Sequence, residues 1–159
     1  MAYLGEINME KYMLTENSVA IMKIFKKTII INVDNIQVFN KSLNKILEYN
    51  CTFHGCNCVG RKKAAQKILN CKYKVPIVVS EEKNIVLIES NSPRSNVCLY
   101  LVVSKIIDYH YLDNKLLEII CVNNIKFRLK ISKKSLENLV IKSIRLNNIL
   151  NYRKNTNFI

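Results

Sequence analysis

The chain has 159 residues, a length that fits one domain, and 49% of them are apolar, enough to bury a core and to exclude wholesale disorder. Three glycines and two prolines exclude a linker or a collagen-like chain. Twenty-five Lys and Arg against twelve Asp and Glu leave a net charge of +13, which directs attention to polyanionic partners: nucleic acid, an anionic membrane surface or an acidic protein.

Residues 1–15 lack a clean period and are expected to be loosely ordered. Met1 to Met13 carries Glu6 and Glu10 and no apolar core, so it does not read as a signal peptide. Val19 to Phe25 and Thr28 to Val33 are β-branched runs broken at Lys26-Lys27, the pattern of a hairpin. Leu43, Ile46 and Leu47 have helical spacing behind Asn40 or Ser42 as cap, which predicts a short helix near 42–49. Cys51 to Gly60 reads as a loop. Ala64, Ala65, Ile68 and Leu69 then form one apolar stripe with Lys63, Gln66 and Lys67 facing away, a helix near 61–70 with a basic outer face.

Pro76 opens a strand through Val79, Glu81 to Asn84 is a turn, and Ile85 to Ile88 returns. Asn91 to Asn96 is a loop that contains Pro93 and Arg94. Strands follow at Val97 to Val103, Leu116 to Val122 and Ile125 to Ile131, with His110 in another between Tyr109 and Tyr111. Asn123-Asn124 has the chemistry of a tight two-residue turn. A C-terminal helix near 133–152 begins behind Ser132, buries Leu136, Leu139, Val140, Ile144, Leu146 and Leu150, and turns Lys134, Asn138, Lys142 and Arg145 outward. Residues 155–159 are expected to be loosely ordered. The sum is a single α+β domain, 1–159, with a mostly antiparallel sheet. No apolar run approaches the roughly 18 residues of a membrane span, so a cytoplasmic protein with reduced thiols and no membrane partner is expected.

The charge is clustered. Cys51 to Lys74 holds Arg61, Lys62, Lys63, Lys67, Lys72 and Lys74 and no acid, and from Val122 onward nine basic residues face only Glu137. Clustered charge of one sign is what a surface tracking a phosphate backbone needs. Gly55 and Gly60 have P-loop spacing, but Arg61, Lys62 and Lys63 stand where Lys and Ser or Thr belong, so nucleotide hydrolysis is rejected and no catalytic site or cofactor is expected. A helix starting at Gly60 would instead offer free N–H groups to one phosphate, with Arg61, Lys62 and Lys63 as anion contacts. The alternative for Arg61 is a pair with a buried carboxylate. Cys51, His54, Cys56 and Cys58 are candidate zinc ligands, yet they lack two separated pairs and read better as small loop-core residues.

The order of motifs resembles the competence transcription factor family, the ComK-like proteins. Cys51-Thr52-Phe53-His54-Gly55 and Gly60-Arg61-Lys62 resemble its Cys-x-aromatic-aromatic-Gly…Gly-Arg-Lys signature. Pro76-Ile77-Val78-Val79 followed by Asn84 to Ile88 resembles its Pro-Pro-Ile hairpin. Ser92-Pro93 with Cys98 and Tyr100 resembles its Ser-Pro…Cys-x-Trp-Ile segment, and Ser132 to Asn138 its Ser-x-x-Ser-Phe-Glu-Asn helix start. The resemblance implies an activator of DNA-uptake genes that binds AT-rich promoter boxes, largely through the minor groove, as a homo-oligomer at the nucleoid, with RNA polymerase as a further partner. Family members continue past the helix that here ends near Tyr152, so DNA binding carries over better than transcriptional activation or adaptor and protease capture. A shortened relative acting as antagonist or interaction module is the other reading. Arg61, Lys62, Lys63, Lys67, Arg94, Lys134, Asn138, Lys142 and Arg145 are the expected DNA contacts, and loop-borne Arg61 and Arg94 suit a narrow, negative minor groove.

Overall fold

A computed structural model describes residues 12–90, 97–113 and 116–156. Its strands in chain order are β1 (Ser18–Ile24), β2 (Lys27–Asn32), β3 (Ile36–Phe39), β4 (Ile77–Ser80), β5 (Ile85–Glu89), β6 (Val97–Val102), β7 (Ile106–Tyr111), β8 (Leu117–Cys121) and β9 (Lys126–Leu129). The helices are α1 (Leu43–Phe53) and α2 (Cys58–Leu69), both between β3 and β4, and α3 (Lys133–Asn155) at the end. An antiparallel six-stranded sheet has the order β3-β2-β1-β6-β5-β4, and a second antiparallel sheet the order β7-β8-β9. The α+β class expected from the pattern is the one found.

The large sheet is apolar on both faces because successive side chains of a strand point to opposite sides. On β6, Cys98, Tyr100 and Val102 pack with Leu43, Ile46, Leu47 and Cys51 of α1. Between them, Leu99 and Leu101 face the other way, onto Leu117, Ile119 and Cys121 of β8 and Leu136 and Leu139 of α3. Such a strand carries no polar alternation and reads as one continuous apolar run. The layers are therefore α1, the six-stranded sheet, then the small sheet with α3. Helix α2 lies along the β4 edge: Cys58 touches the α1-side core, while Ala65 and Leu69 join Val78, Val86 and Leu146 on the other side. A covered edge cannot recruit another strand.

Local chemistry sets the helix ends. Ser42 caps α1 and Ser132 caps α3, each hydroxyl accepting the N–H three residues on, from Lys45 at 3.3 Å and from Ser135 at 3.1 Å. All three helices run longer than their periodicity predicts, α3 by three residues to Asn155. Helix α1 continues through Cys51–Phe53, expected as loop, and α2 begins at Cys58 behind an Asn57 cap rather than at 61. Strand β3 has no counterpart in the sequence pattern: it is a short edge strand whose Ile36 and Val38 stay exposed. Ile144, expected in the buried stripe of α3, is 52% exposed. Its place is taken by Ser143, which is buried and donates to the Leu139 carbonyl at 2.7 Å, and by Asn147. Both are polar, so a search for apolar spacing passes over them. Ala64, assigned to the apolar stripe of α2, is exposed too.

One buried polar side chain ties the start of the described chain to the first helix. Asn50 is fully buried; its carbonyl accepts the Leu14 N–H at 2.7 Å, and its amide donates to the carbonyls of Tyr12 and Ile46, both at 2.8 Å. Replacing it strands a buried backbone donor and acceptor, which costs about 2–4 kcal/mol. Asn50→Ala is expected to lower the urea midpoint by that equivalent with little change in the denaturant slope.

Candidate nucleic-acid interface

The start of α2 is built differently from its expected role. The Asn57 side chain accepts the Gly60 N–H at 2.6 Å, and the Glu48 carboxylate accepts the Cys58 N–H at 3.1 Å. Donors expected to be open to a phosphate are thus already engaged. Gly60 is needed for this closeness, since an added Cβ would lie 2.7 Å from Cys56 Sγ and 2.9 Å from Asn57 Oδ1. Arg61, expected as a central anion contact, is turned inward. Its Nη1 donates to Glu81 Oε1 at 2.9 Å and its Nη2 to the His54 carbonyl at 3.1 Å, with side chains 13% and 9% exposed for Arg61 and Glu81. The pair with a buried carboxylate is the geometry found. Lys154 of α3 reaches the second Glu81 oxygen at 3.5 Å, so one carboxylate joins α2, the β4–β5 turn and the end of α3.

The remaining expected contacts do not gather on one face. Lys63 and Lys67 are exposed on α2, and α3 runs antiparallel beside it: Lys142 donates to Cys71 Sγ at 3.2 Å at one end, and Lys154 meets Glu81 at the other. Arg145 is exposed on the same helix. Lys134 and Asn138, also exposed, stand instead by the small sheet, where the Lys133 N–H donates to the Tyr111 hydroxyl at 2.8 Å and Tyr109 donates to Glu137 at 3.1 Å. Arg94 lies outside the described residues.

A different convergence appears at one end of the large sheet. Burial pushes the Cys98 thiol up to about 11, against the pull of two ammonium groups, Lys23 from β1 and Lys62 from α2. Burial likewise raises the Glu89 carboxyl, with Lys62 and Lys74 opposing. Lys23 lies opposite Cys98 on β1, just before the β1–β2 turn, which adds Lys26 and Lys27, both exposed. Phe25 sits between these lysines, 67% exposed and held at φ 53°. Beside it a cleft of about 310 Å³ is bounded by Lys23, Lys26, Thr28, Ser42 and Asn44. A left-handed backbone at a residue other than glycine costs about 1–3 kcal/mol and persists only where the surrounding structure imposes it. The sequence pattern breaks the hairpin at Lys26-Lys27, whereas the turn lies one residue earlier, at Phe25-Lys26, where Asn-Gly is usual.

The cysteines and histidines form no metal cage. Cys51 and Cys58 touch at 3.2 Å through sulfur; their mutual hydrogen bond, with burial, keeps the Cys51 thiol protonated and makes Cys58 the more acidic partner. His54 turns its ring edge-on to Phe53, with centroids 5.1 Å apart, and burial, then Lys83 and Arg61, lowers its basicity. Among the described residues no three His, Cys, Asp or Glu side chains converge to hold an ion, so Cys51, His54, Cys56 and Cys58 are not assembled as a ligand set. His110 faces Glu118 at 3.5 Å.

The sequence model of the ComK protein family matches residues 9–155. The chain belongs to the ComK family. ComK proteins are competence transcription factors, a DNA-binding family and not one of enzymes. Neither a curated protein nor a solved structure matches the chain. Among the described residues no helix is long and apolar enough to cross a membrane.

The Glu81 junction predicts its own pH dependence. Burial alone would raise the Glu81 pKa, but its own backbone N–H, Arg61 and Lys154 outweigh burial and lower it below 4.5. A lowered folded pKa contributes stability that is present above the unfolded value near 4.5 and is lost as pH falls through the folded value. Arg61→Ala leaves the carboxylate with the exposed Lys154 alone and is expected to cost about 3 kcal/mol at pH 7. That deficit should shrink on acidification below 4.5, which denaturation midpoints at pH 7 and pH 3.5 would check.

Proposed function

We propose that this ComK-family protein is a sequence-preferring transcription regulator of DNA-uptake genes, a cytoplasmic, nucleoid-associated protein that binds AT-rich duplex largely through the minor groove as a homo-oligomer. The observation that carries the reading is the lysine set of the β1–β2 hairpin, Lys23, Lys26 and Lys27, which line one end of the large sheet with no acid among the lining side chains, in a chain of net charge +13 from a DNA-binding family. Lys62 and Lys63 remain the central phosphate contacts. Lys67, Lys142 and Arg145 serve as flanking contacts, Lys134 and Asn138 as more distant ones, and Arg94 as a further one. Arg61 leaves the set and acts by holding α2 in place.

Lysines suit this task. An ammonium group is a compact point charge that follows electrostatic potential, whereas bidentate reading of base edges falls to Arg and Asn. The AT-rich minor groove is narrow and strongly negative, so it selects such charges by shape and not by a detailed base code. Activation through RNA polymerase is the output expected of the family.

Titration against AT-rich and GC-rich duplexes at several salt concentrations tests the reading. If about six phosphates are neutralised, log affinity falls with log salt at a slope near −5, with AT-rich duplex preferred. Joint replacement of Lys62 and Lys63 by Ala should weaken both duplexes alike and flatten the slope by about 2. Absence of duplex binding, or an affinity indifferent to salt, removes the proposal.

A further inference from the structure

We propose that Phe25, at the tip of the β1–β2 hairpin, is an apolar wedge that enters between base steps of the bound duplex, with Lys23, Lys26 and Lys27 holding the flanking phosphates; this rests on the DNA-binding reading above and names the residue that deforms the groove.

The first argument is backbone geometry. Ile24 pairs with Lys27, so Phe25 and Lys26 are the two central residues of the turn. Phe25 has φ 53°, and Lys26 is not among the described residues with positive φ. Two-residue turns with a positive φ at the first central position favour glycine there. Elsewhere this chain meets the same demand with Asn, at Asn70, Asn84, Asn123 and Asn124, whose short polar side chain tolerates the conformation. Phe and Lys74 are the departures among the described residues, and Phe25 is the aromatic one. The fold gains nothing in compensation, since the side chain is 67% exposed instead of filling a core.

The second argument is surroundings. The ring projects beyond the last strand pair, between a cleft of about 310 Å³ on the α1 side and a shallower hollow walled by Lys23, Ile24, Lys26 and Lys27. Every charged group in those two walls is a lysine. A lone exposed phenylalanine ringed by cations is ill-suited to an apolar protein partner, which would have to desolvate the lysines, and well suited to nucleic acid. Minor-groove proteins place Phe, Leu, Ile, Met or Pro between base steps in this way, partly unstacking them and kinking the duplex toward the major groove. Flexible pyrimidine–purine steps such as TA yield most easily. A wedge at the tip thus supplies sequence preference without hydrogen bonds to bases.

Phe25→Gly is the informative variant because it removes the ring and the backbone penalty together, so folding is preserved or improved. The full chain and this variant would be titrated against an AT-rich duplex carrying 2-aminopurine at a central TA step. Wild-type protein is expected to raise the 2-aminopurine fluorescence on binding, as the base unstacks. Phe25→Gly should bind about tenfold more weakly, with the fluorescence rise abolished and the salt slope unchanged, while Phe25→Leu keeps part of the rise. Lys26→Ala should do the reverse, flattening the slope and keeping the rise. If wild type binds and Phe25→Gly gives the same affinity and fluorescence, the wedge is overturned and DNA binding stands. If wild type binds no duplex, both fall.

Discussion

The constraint behind this architecture is a central strand with no polar side. From Cys98 to Val102 every residue of β6 is buried, so both faces of the large sheet must be covered or the sheet cannot stay in water. Helix α1 supplies one cover; β8 with its neighbours and α3 supply the other. Helix α2 closes the β4 edge. With the faces and one edge spent on packing, the surface left for a large partner lies at the strand ends, the outer helix faces and the β3 edge. The hairpin tip belongs to the strand ends, where Lys23, Lys26 and Lys27 line one hollow.

The Arg61–Glu81 pair shows how one side chain can satisfy a motif yet serve another purpose. Arg61 follows a glycine and precedes two lysines, an arrangement that in sequence points to an anion. In the fold, the same position lies over the β4–β5 turn, where Glu81 is 8% exposed and needs a partner. A carboxylate removed from water is costly without charge compensation and hydrogen bonds, and a guanidinium supplies both at once. Lys62, one residue on, faces the strand ends near Cys98 and Glu89. Adjacent residues on a helix are about 100° apart, so neighbours in a basic run need not share a destination. The run Arg61-Lys62-Lys63 is a structural contact, then a half-buried charge, then an exposed one.

How much was legible in the sequence follows the same physics. Strands with continuous β-branched runs, the Ser42 and Ser132 caps and the Asn123-Asn124 turn announce themselves through local preference, and the fold matches each of them. The helical state of Cys51–Phe53 was hidden because that stretch lacks apolar spacing and gains its order from Cys51 packing into the core. Ser143 and Asn147 were hidden because buried polar residues are invisible to a hydrophobic pattern until their partners are known. The site was less legible than the fold. Side-chain direction decides whether Arg61 is a ligand or a strut, and direction depends on Glu81, twenty residues away in sequence.

Removing Arg61 from the surface changes the kind of recognition the surface can perform. Arginine carries a rigid planar fork matched to guanine edges, whereas lysine is a flexible point charge with less geometric definition. What surrounds the exposed aromatic ring at the sheet end is Lys23, Lys26 and Lys27. In the function proposed above, such a surface would measure potential and deformability, the two properties in which AT-rich DNA differs most from other duplex. Readout of that kind discriminates modestly per base pair, so the proposed regulator would gain selectivity by engaging several helical turns at once. That requirement is the physical reason the proposal has more than one copy of the chain acting on a single promoter.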